Sequence, residues 1–270
     1  MKKTISTLTI LLFAIITFSQ TTFDKAKLDS YFDALEQNNK FMGSVAVSMN
    51  GEVIYTRACG WADVENKIKA TEKSKYRIGS ISKSFTAVLI MKAVELKKIS
   101  LDIAIDKWFP SLPYAKSTTV RHLLQHRSGI HNFTNDDDYL NWNTQPKSEK
   151  EMIDLIAKAG NDFEPDSKAE YSNSNYVLLT FILEKEFSKS YAELLQEHIV
   201  KPTGLTNTYV FGPIKTRNNE CKSYNYLGNW VEESETHYSI PLGAGAITST
   251  PVDLTKFADA LFGGRIISLE

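Results

Sequence analysis

The chain has 270 residues, of which 42% are hydrophobic, 11% aromatic and 23% charged. These proportions are ordinary for a folded globular protein, and they exclude an intrinsically disordered chain, a collagen-like repeat and a fibrous coiled coil. The 31 basic and 32 acidic residues give a formal net charge of −1. The chain therefore has no overall basic field with which to hold nucleic acid or an anionic membrane.

The first residues have the pattern of an export signal. Lys2 and Lys3 supply positive charge, residues 8–18 form an apolar run that is short for a membrane span, and the small residue Ser19 follows. We predict a signal peptide over residues 1–19, cleaved after Ser19, and a periplasmic or secreted protein with no stable membrane span after cleavage. An uncleaved amphipathic anchor is the alternative.

Export would also permit a disulfide bond between the two cysteines, Cys59 and Cys221. Cysteines that are far apart in sequence need not be close in space, however. Two unrelated thiols are therefore the simpler interpretation.

The apolar pattern predicts a helix first and then a β-hairpin. Residues 23–37 place apolar side chains at helical spacing, whereas apolar and polar residues alternate on both sides of Asn50-Gly51. Asn-Gly is the strongest two-residue signal for a hairpin turn. A hairpin of this kind needs further strands or a covering helix to be stable.

From Ser80 onwards the apolar period becomes helical. We predict a long amphipathic helix from Ser80, capping boxes at Ser148 and Ser190, a helical face over residues 176–187 and a last helix opened by Thr250-Pro251 and closed by a glycine. A short antiparallel β segment followed by a mostly helical chain indicates the α+β class.

Ser80 and Lys83 form the strongest candidate for chemistry. Residues three apart at the start of a helix share one face, so the Ser80 hydroxyl and the Lys83 amine can meet. A serine hydroxyl is a poor nucleophile until a base takes its proton, and a lysine can do so when burial lowers its pKa. The alternative is an ordinary N-cap serine beside a surface lysine, but this is the one Ser-x-x-Lys in the chain.

Tyr171 and Asn173 form the second candidate, in a polar loop just before an apolar helix. A phenol can relay a proton, and an asparagine amide can hold a substrate amide. Tyr-x-Asn is a weak pattern by itself. It recurs at Tyr139-Leu140-Asn141, which we interpret as loop packing.

Metal and nucleotide cofactors have little support in the sequence. His122 and His126 have the spacing of a helical metal pair, but Leu123 stands where a zinc protease carries its glutamate, and His131 is the one further candidate ligand. The run Asp136-Asp137-Asp138 lacks the alternation of a calcium loop. No phosphate-binding or dinucleotide glycine motif is present, so we expect no cofactor.

Together the motifs resemble the serine β-lactamase and penicillin-binding-protein superfamily, and above all class C β-lactamases, D-Ala-D-Ala carboxypeptidases and related esterases. The four matching segments, in the family's order, are residues 76–87 (YRIGSISKSFTA), 123–130 (LLQHRSGI), 163–176 (from FEP to YSNSNY) and 243–254 (GAGAITSTPVDL). The resemblance accounts for His126 without a metal.

The resemblance implies an antiparallel sheet flanked by helices, with an all-helical lobe beside it. The expected domain covers residues 20–270, with an α/β lobe over 20–85 and 201–270 and a helical lobe over 86–200. Ser80 would be acylated, Lys83 and Tyr171 would share the proton transfers, and Asn173 would orient the substrate amide. The Ser80 backbone N–H would be half of an oxyanion hole.

The third family motif, Lys or His before x-Gly on a C-terminal strand, is absent. Lys201-Pro-Thr-Gly204 and Lys215-Thr-Arg217 come near it but precede Gly243 and so are out of order. The resemblance therefore implies that the remaining strands of the sheet, with this motif, follow residue 270.

The expected activity is that of an exported serine hydrolase that forms an acyl-enzyme with an amide or ester substrate, namely a D-Ala-D-Ala peptide, a β-lactam or a small ester. The alternative is a non-catalytic binding or sensor domain of the same fold, or an inactive fragment. No nucleic acid partner is expected.

Overall fold

The computed structural model describes residues 23–268, so the predicted signal peptide lies outside the described residues. Helix α1 (Lys25–Gln37) comes first, capped by the Asp24 side chain, and the hairpin strands β1 (Gly43–Met49) and β2 (Glu52–Cys59) follow. The strands pair antiparallel, and Asn50 and Gly51 turn the chain with φ values of 53° and 82°. The hairpin prediction is therefore confirmed.

Helices are the main regular structure in the rest of the described chain. The helices in chain order are α2 (Ser82–Glu95), α3 (Val120–Leu124), α4 (Tyr139–Trp142), α5 (Glu149–Ala159), α6 (Asn173–Phe187), α7 (Tyr191–Leu195), α8 (Lys201–Thr203), α9 (Leu242–Gly245) and α10 (Pro251–Phe262). Ser148 and Ser190 form the predicted capping boxes at the N-termini of α5 and α7, and Thr250 caps α10.

The other strands are short and belong to small antiparallel sheets. They are β3 (Trp61–Asp63), β4 (Ile68–Lys69), β5 (Tyr76–Arg77), β6 (Tyr209–Val210), β7 (Tyr224–Tyr226), β8 (Trp230–Glu232) and β9 (Ile247–Ser249). Strand β9 lies between β5 and β6, β3 pairs with β4, and β7 pairs with β8. The combination of helices and small antiparallel sheets confirms the α+β prediction.

Helices α2 and α6 form the centre of the hydrophobic core. Both carry side chains that are fully buried, including Phe85 and Leu89 on α2 and Leu178 and Ile182 on α6. The ring of Phe85 stacks on that of Phe257 from α10, with 3.8 Å between the ring centroids. The predicted site residues lie at or just before the N-termini of these two core helices.

Two local predictions were wrong. The helix predicted from Ser80 begins at Ser82, because Gly79–Ile81 forms a 3₁₀ turn ahead of α2. The segment predicted as a loop at Tyr139 is the short helix α4, whose Tyr139 and Trp142 rings pack against Phe133. The local sequence pattern of this segment is only weakly helical, so we attribute the stability of the short helix to its aromatic packing.

No helix among residues 23–268 combines the length and the apolarity that crossing a membrane requires. Cys59 and Cys221 are both buried and both free thiols.

Candidate active site

Ser80 lies exposed in the 3₁₀ turn that leads into α2. The preceding residue, Gly79, has a φ of 52°, a left-handed conformation that glycine adopts without the steric cost of a side chain. Since the turn ends where α2 begins, the Ser80 hydroxyl sits at the N-terminal end of a buried helix. Helix N-termini favour negative charge, which is the charge that develops when a serine attacks a carbonyl carbon.

Lys83 lies one turn further along and is only 6% exposed. Its Nζ donates hydrogen bonds to Ser80 Oγ at 3.2 Å, to Asn173 Oδ1 at 2.8 Å and to the Ala244 carbonyl oxygen at 2.7 Å. Three acceptors match the three N–H groups of a lysine ammonium. The amine is therefore held in one position with its lone pair or proton directed at the serine.

Burial lowers the pKa of Lys83 below its ordinary value of 10.5, and the neighbouring Tyr171 hydroxyl opposes this shift in part. Burial has this effect because a charged amine loses its hydration when it leaves water. A larger share of Lys83 is thus neutral near physiological pH than for a lysine in water, and a neutral amine can accept the serine proton.

Tyr171 and Asn173 complete the cluster. The Tyr171 hydroxyl lies 2.6 Å from Ser80 Oγ and 3.4 Å from Asn173 Oδ1. Lys83 Nζ also lies 4.8 Å from the centre of the Tyr171 ring. The structure thus brings together all four residues that the sequence singled out, although Ser80 and Tyr171 are 91 positions apart in the chain.

Asn132 and Thr134, at the start of a short 3₁₀ helix (Phe133–Asn135), orient Asn173. Asn132 Oδ1 accepts a hydrogen bond from the Asn173 backbone N–H at 3.0 Å, and Thr134 Oγ1 accepts one from Asn173 Nδ2 at 3.0 Å. Because its Nδ2 faces Thr134, Asn173 turns its Oδ1 towards Lys83. Sequence reasoning missed Asn132 and Thr134, since no motif or spacing distinguished them from other loop residues.

The Ala244 carbonyl is a further contact that the sequence analysis did not identify. It is placed by Gly243, whose backbone N–H donates to Thr180 Oγ1 at 3.0 Å and whose carbonyl oxygen accepts from Thr86 Oγ1 at 2.8 Å. A Cβ atom at Gly243 would lie less than 3.0 Å from both hydroxyl oxygens. Glycine at this position therefore lets the chain approach α2 and α6 closely enough to reach Lys83.

We expect Gly243→Ala to lower the free energy of unfolding by about 1–3 kcal/mol, the usual cost of overpacking a filled interior, and to reduce activity by displacing the Ala244 carbonyl from Lys83. Urea denaturation and kcat/KM measure the two effects. Gly212→Ala is the matched control, because a Cβ there meets open space. A Gly243→Ala protein as stable as the wild type would contradict this account.

A cavity of about 270 Å³ opens beside Ser80 and Asn173. Its wall combines the aromatic rings of Phe133, Tyr139 and Phe211 with several hydroxyl groups and the Arg77 side chain. No aspartate or glutamate lines it. The space is large enough for a small acyl group, and the Arg77 guanidinium on its wall is paired with the Glu235 carboxylate at 2.7 Å.

The metal interpretation of His122 and His126 finds no geometric support. Helix α3 ends at Leu124, and His126 has a left-handed φ of 56°, so the two rings do not share a helix face. The third candidate, His131, lies between the carboxylates of Asp162 and Asp136. Within residues 23–268, no three histidine, cysteine or acidic side chains are arranged so that they could hold a metal ion.

Comparison with known proteins identifies the family. The model of the family described as Beta-lactamase matches residues 28–270, which is most of the chain. The chain belongs to this family.

Individual relatives agree with the family match. The chain is similar to penicillin-binding protein 4* of Bacillus subtilis strain 168, with 29% identity over 262 residues, which are 89% of this chain and 56% of that protein. It is also similar to a teichoic acid D-alanine hydrolase of Staphylococcus aureus strain MRSA252, with 30% identity over 235 residues, 85% of this chain and 55% of that protein. This chain of the beta-lactamase family thus spans about half the length of the curated relatives it matches.

Among solved structures, the D-amino acid amidase of Ochrobactrum anthropi SV3 in complex with L-phenylalanine superposes with a TM-score of 0.76. Its sequence is 31% identical to this chain, and the match covers 90% of this chain and 71% of the amidase. The similarity confirms the β-lactamase-like fold.

Proposed function

We propose that this protein is a serine hydrolase that cleaves amide or ester bonds through an acyl-enzyme on Ser80. The observation that carries the proposal is the contact of one exposed serine hydroxyl with both a buried lysine amine and a tyrosine hydroxyl. A nucleophile within hydrogen-bond reach of a base, with the base oriented by further groups, is the arrangement that covalent catalysis needs. The family membership of the chain and the names of its relatives support the same chemistry.

In the proposed reaction, Ser80 Oγ attacks the substrate carbonyl carbon and passes its proton to neutral Lys83. Tyr171 gives its own proton to the leaving group as the carbonyl bond to that group breaks, and it recovers a proton from the Lys83 ammonium. The net transfer is one proton from Ser80 to the leaving group. Water then cleaves the acyl-enzyme by the reverse relay, and Ser80 regains its proton.

The remaining assignments concern substrate binding. Asn173 orients the substrate amide, and the Ser80 backbone N–H is one donor to the oxyanion. We infer that the site lies between an α/β lobe and a helical lobe over residues 86–200, and that the protein acts after export. D-alanyl amides and esters, D-Ala-D-Ala peptides and β-lactams are the candidate substrates, because the relatives include a D-alanine hydrolase and a D-amino acid amidase.

The direct test is intact-mass spectrometry of the intact protein after exposure to a fluorophosphonate and, separately, to a β-lactam. We expect an adduct of one probe per chain, on the peptide that contains Ser80. Turnover of D-alanine p-nitroanilide, a D-alanyl ester and an acylated D-Ala-D-Ala peptide then ranks the substrate classes. If no probe forms an adduct and none of the three substrates is hydrolysed, the proposal is wrong.

We expect Tyr171→Phe to lower kcat by about 10²-fold, within the usual range for loss of one proton-transfer group. The phenylalanine ring keeps the packing but has no hydroxyl to protonate the leaving group. A substrate whose leaving group needs no proton, such as p-nitrophenolate, should lose less rate than an anilide. Tyr226→Phe, on the exposed strand β7, is the control. Equal losses on both substrates would contradict the assigned role.

A further inference from the structure

His126 lies directly against Tyr171, although the proposed reaction gives it no part. Its ring centroid is 4.7 Å from that of Tyr171 and 5.2 Å from that of Tyr176, so the imidazole occupies the space between the two phenol rings. Its left-handed backbone is a conformation that histidine and asparagine adopt more readily than most residues. The left-handed backbone of His126 carries a local conformational cost, and this conformation places the ring beside the site.

Two donors converge on one nitrogen of the ring. The Ser172 backbone N–H donates to His126 Nδ1 at 3.1 Å, and Asn175 Nδ2 lies 3.5 Å from the same nitrogen. The Asn175 amide is fixed in this orientation because its Oδ1 accepts a hydrogen bond from Ser128 Oγ at 2.6 Å. A nitrogen that faces two donors has to be an acceptor, so the neutral ring carries its proton on Nε2.

The surroundings of the ring disfavour a positive charge. Burial lowers the pKa of His126, and the nearby Lys83 ammonium lowers it further. The titratable groups that face the ring are Lys83 on α2, Tyr171 just before α6 and Tyr176 on α6. No carboxylate in the described part of the chain forms an ion pair with this imidazole, in contrast to His131.

We propose that His126 is a positioning residue for Tyr171. Its neutral ring, anchored through Nδ1 to the backbone N–H of Ser172 and packed against the Tyr171 ring, holds the phenol hydroxyl at Ser80 Oγ. Protonation of the ring at acid pH places an N–H against the Ser172 N–H and a second cation beside Lys83. The anchor then breaks, and Tyr171 leaves its place at the serine.

The inference rests on the proposed function, because it assumes that Tyr171 acts in proton transfer. Protonation of His126 would add a second change of slope to the pH profile of kcat/KM, at lower pH than the change that Lys83 causes. Activity falls as Lys83 becomes protonated, with a slope of about one in log(kcat/KM) against pH. Because burial lowers the pKa of His126, the ring becomes protonated at a pH below the ordinary histidine range, and this protonation steepens the slope towards two.

The decisive variant is His126→Asn. Asparagine tolerates the left-handed backbone and offers an acceptor to the Ser172 N–H, but it has neither the ring nor a proton that titrates in this range. We expect kcat to fall about tenfold because the phenol is held less precisely, and KM to change little. The steepening of the slope at acid pH should disappear.

His198→Asn is the matched control. His198 is also a partly buried ring packed on an aromatic side chain, Phe187, and burial also lowers its pKa. Its charged neighbours are Glu197, Lys189 and Lys92, none of which belongs to the site. We expect this variant to keep the wild-type kcat and the wild-type pH profile, including the steepened acid limb.

Asn175→Asp tests the direction of the effect. A carboxylate in place of the Asn175 amide would stabilise a proton on Nδ1, so we expect the steepening to move to higher pH by about one unit. Imidazole ¹⁵N NMR of the wild-type protein supplies a readout that needs no variant. We expect the Nε2–H tautomer at neutral pH and a titration of His126 at the pH where the slope changes.

The possible failures are distinguishable. A wild-type protein that forms no acyl-enzyme overturns the proposed function, and this inference with it. A normal acyl-enzyme in the wild type, together with a His126→Asn profile that keeps the steep acid limb, overturns the inference alone. A His126 ring found with its proton on Nδ1 at neutral pH also overturns it, even if the variants do not fold.

Discussion

The Ser80→Ala protein is expected to form no acyl-enzyme and to lose at least about 10⁴-fold in kcat/KM. The loss is large because the proposed reaction forms a bond between Ser80 Oγ and the substrate carbonyl carbon, and removing a nucleophile from a cooperating set costs about as much as removing the whole set. Intact-mass spectrometry and steady-state kinetics with the D-alanyl substrates measure the two effects.

The control for this variant is Ser84→Ala. Ser84 is an exposed serine four residues further along, and its hydroxyl donates to the Ile81 carbonyl oxygen at 2.6 Å rather than to Ser80, Lys83 or Tyr171. We expect labelling and turnover of Ser84→Ala to equal those of the wild type. An adduct that persists in Ser80→Ala, or that maps to another residue, would disprove the assignment of the nucleophile.

The second large effect is expected at Lys83. Lys83→Met keeps most of the volume of the buried side chain but removes the amine that we propose takes the serine proton, so kcat/KM should fall by about 10³–10⁴-fold. Lys83→Arg should be comparably inactive, because a guanidinium stays charged and cannot act as a base. Kinetics across pH 5 to 10 separate this role from simple packing.

The pH dependence follows from the direction of the Lys83 pKa shift. Burial lowers this pKa below 10.5, so the neutral form appears at lower pH than for a lysine in water, and activity rises as pH increases through the depressed value. In Lys83→Met this rise should vanish along with most of the rate. Lys92→Met removes an ion pair with Glu95 on the same helix, and this control should keep both the wild-type rate and the rise of activity with pH. If the activity of Lys83→Met still rises with pH as in the wild type, another group is the base.

Local pattern was sufficient for part of the site. Ser80 and Lys83 are three residues apart, and the turn of helix between them places Lys83 Nζ within 3.2 Å of Ser80 Oγ. The hairpin at Asn50-Gly51 and the capping boxes were predictable for the same reason, since each depends on residues within one turn of each other. The contact of Tyr171 with Ser80 could be anticipated only through the family resemblance.

Other parts of the site depend on close approach between distant segments. The sequence analysis assigned no role to the Ala244 carbonyl, because a backbone oxygen has no residue type to reveal it, and the need for glycine at 243 arises from Thr86 and Thr180. The position of His126 beside Tyr171 was hidden in the same way. Its spacing from His122 suggested a shared helix face, but the helix ends at Leu124.

Because the cluster around Lys83 joins distant segments of the chain, covalent labelling of Ser80 can report on folding. The amine reaches an oxygen 161 positions away along the chain, so the site cannot exist in any partly folded state that lacks either segment. Loop closure over such separations is slow compared with the formation of a helix. During refolding, circular dichroism at helical wavelengths should therefore recover before covalent labelling of Ser80 does, and the interval between them times the docking of the Gly243 segment onto α2 and α6.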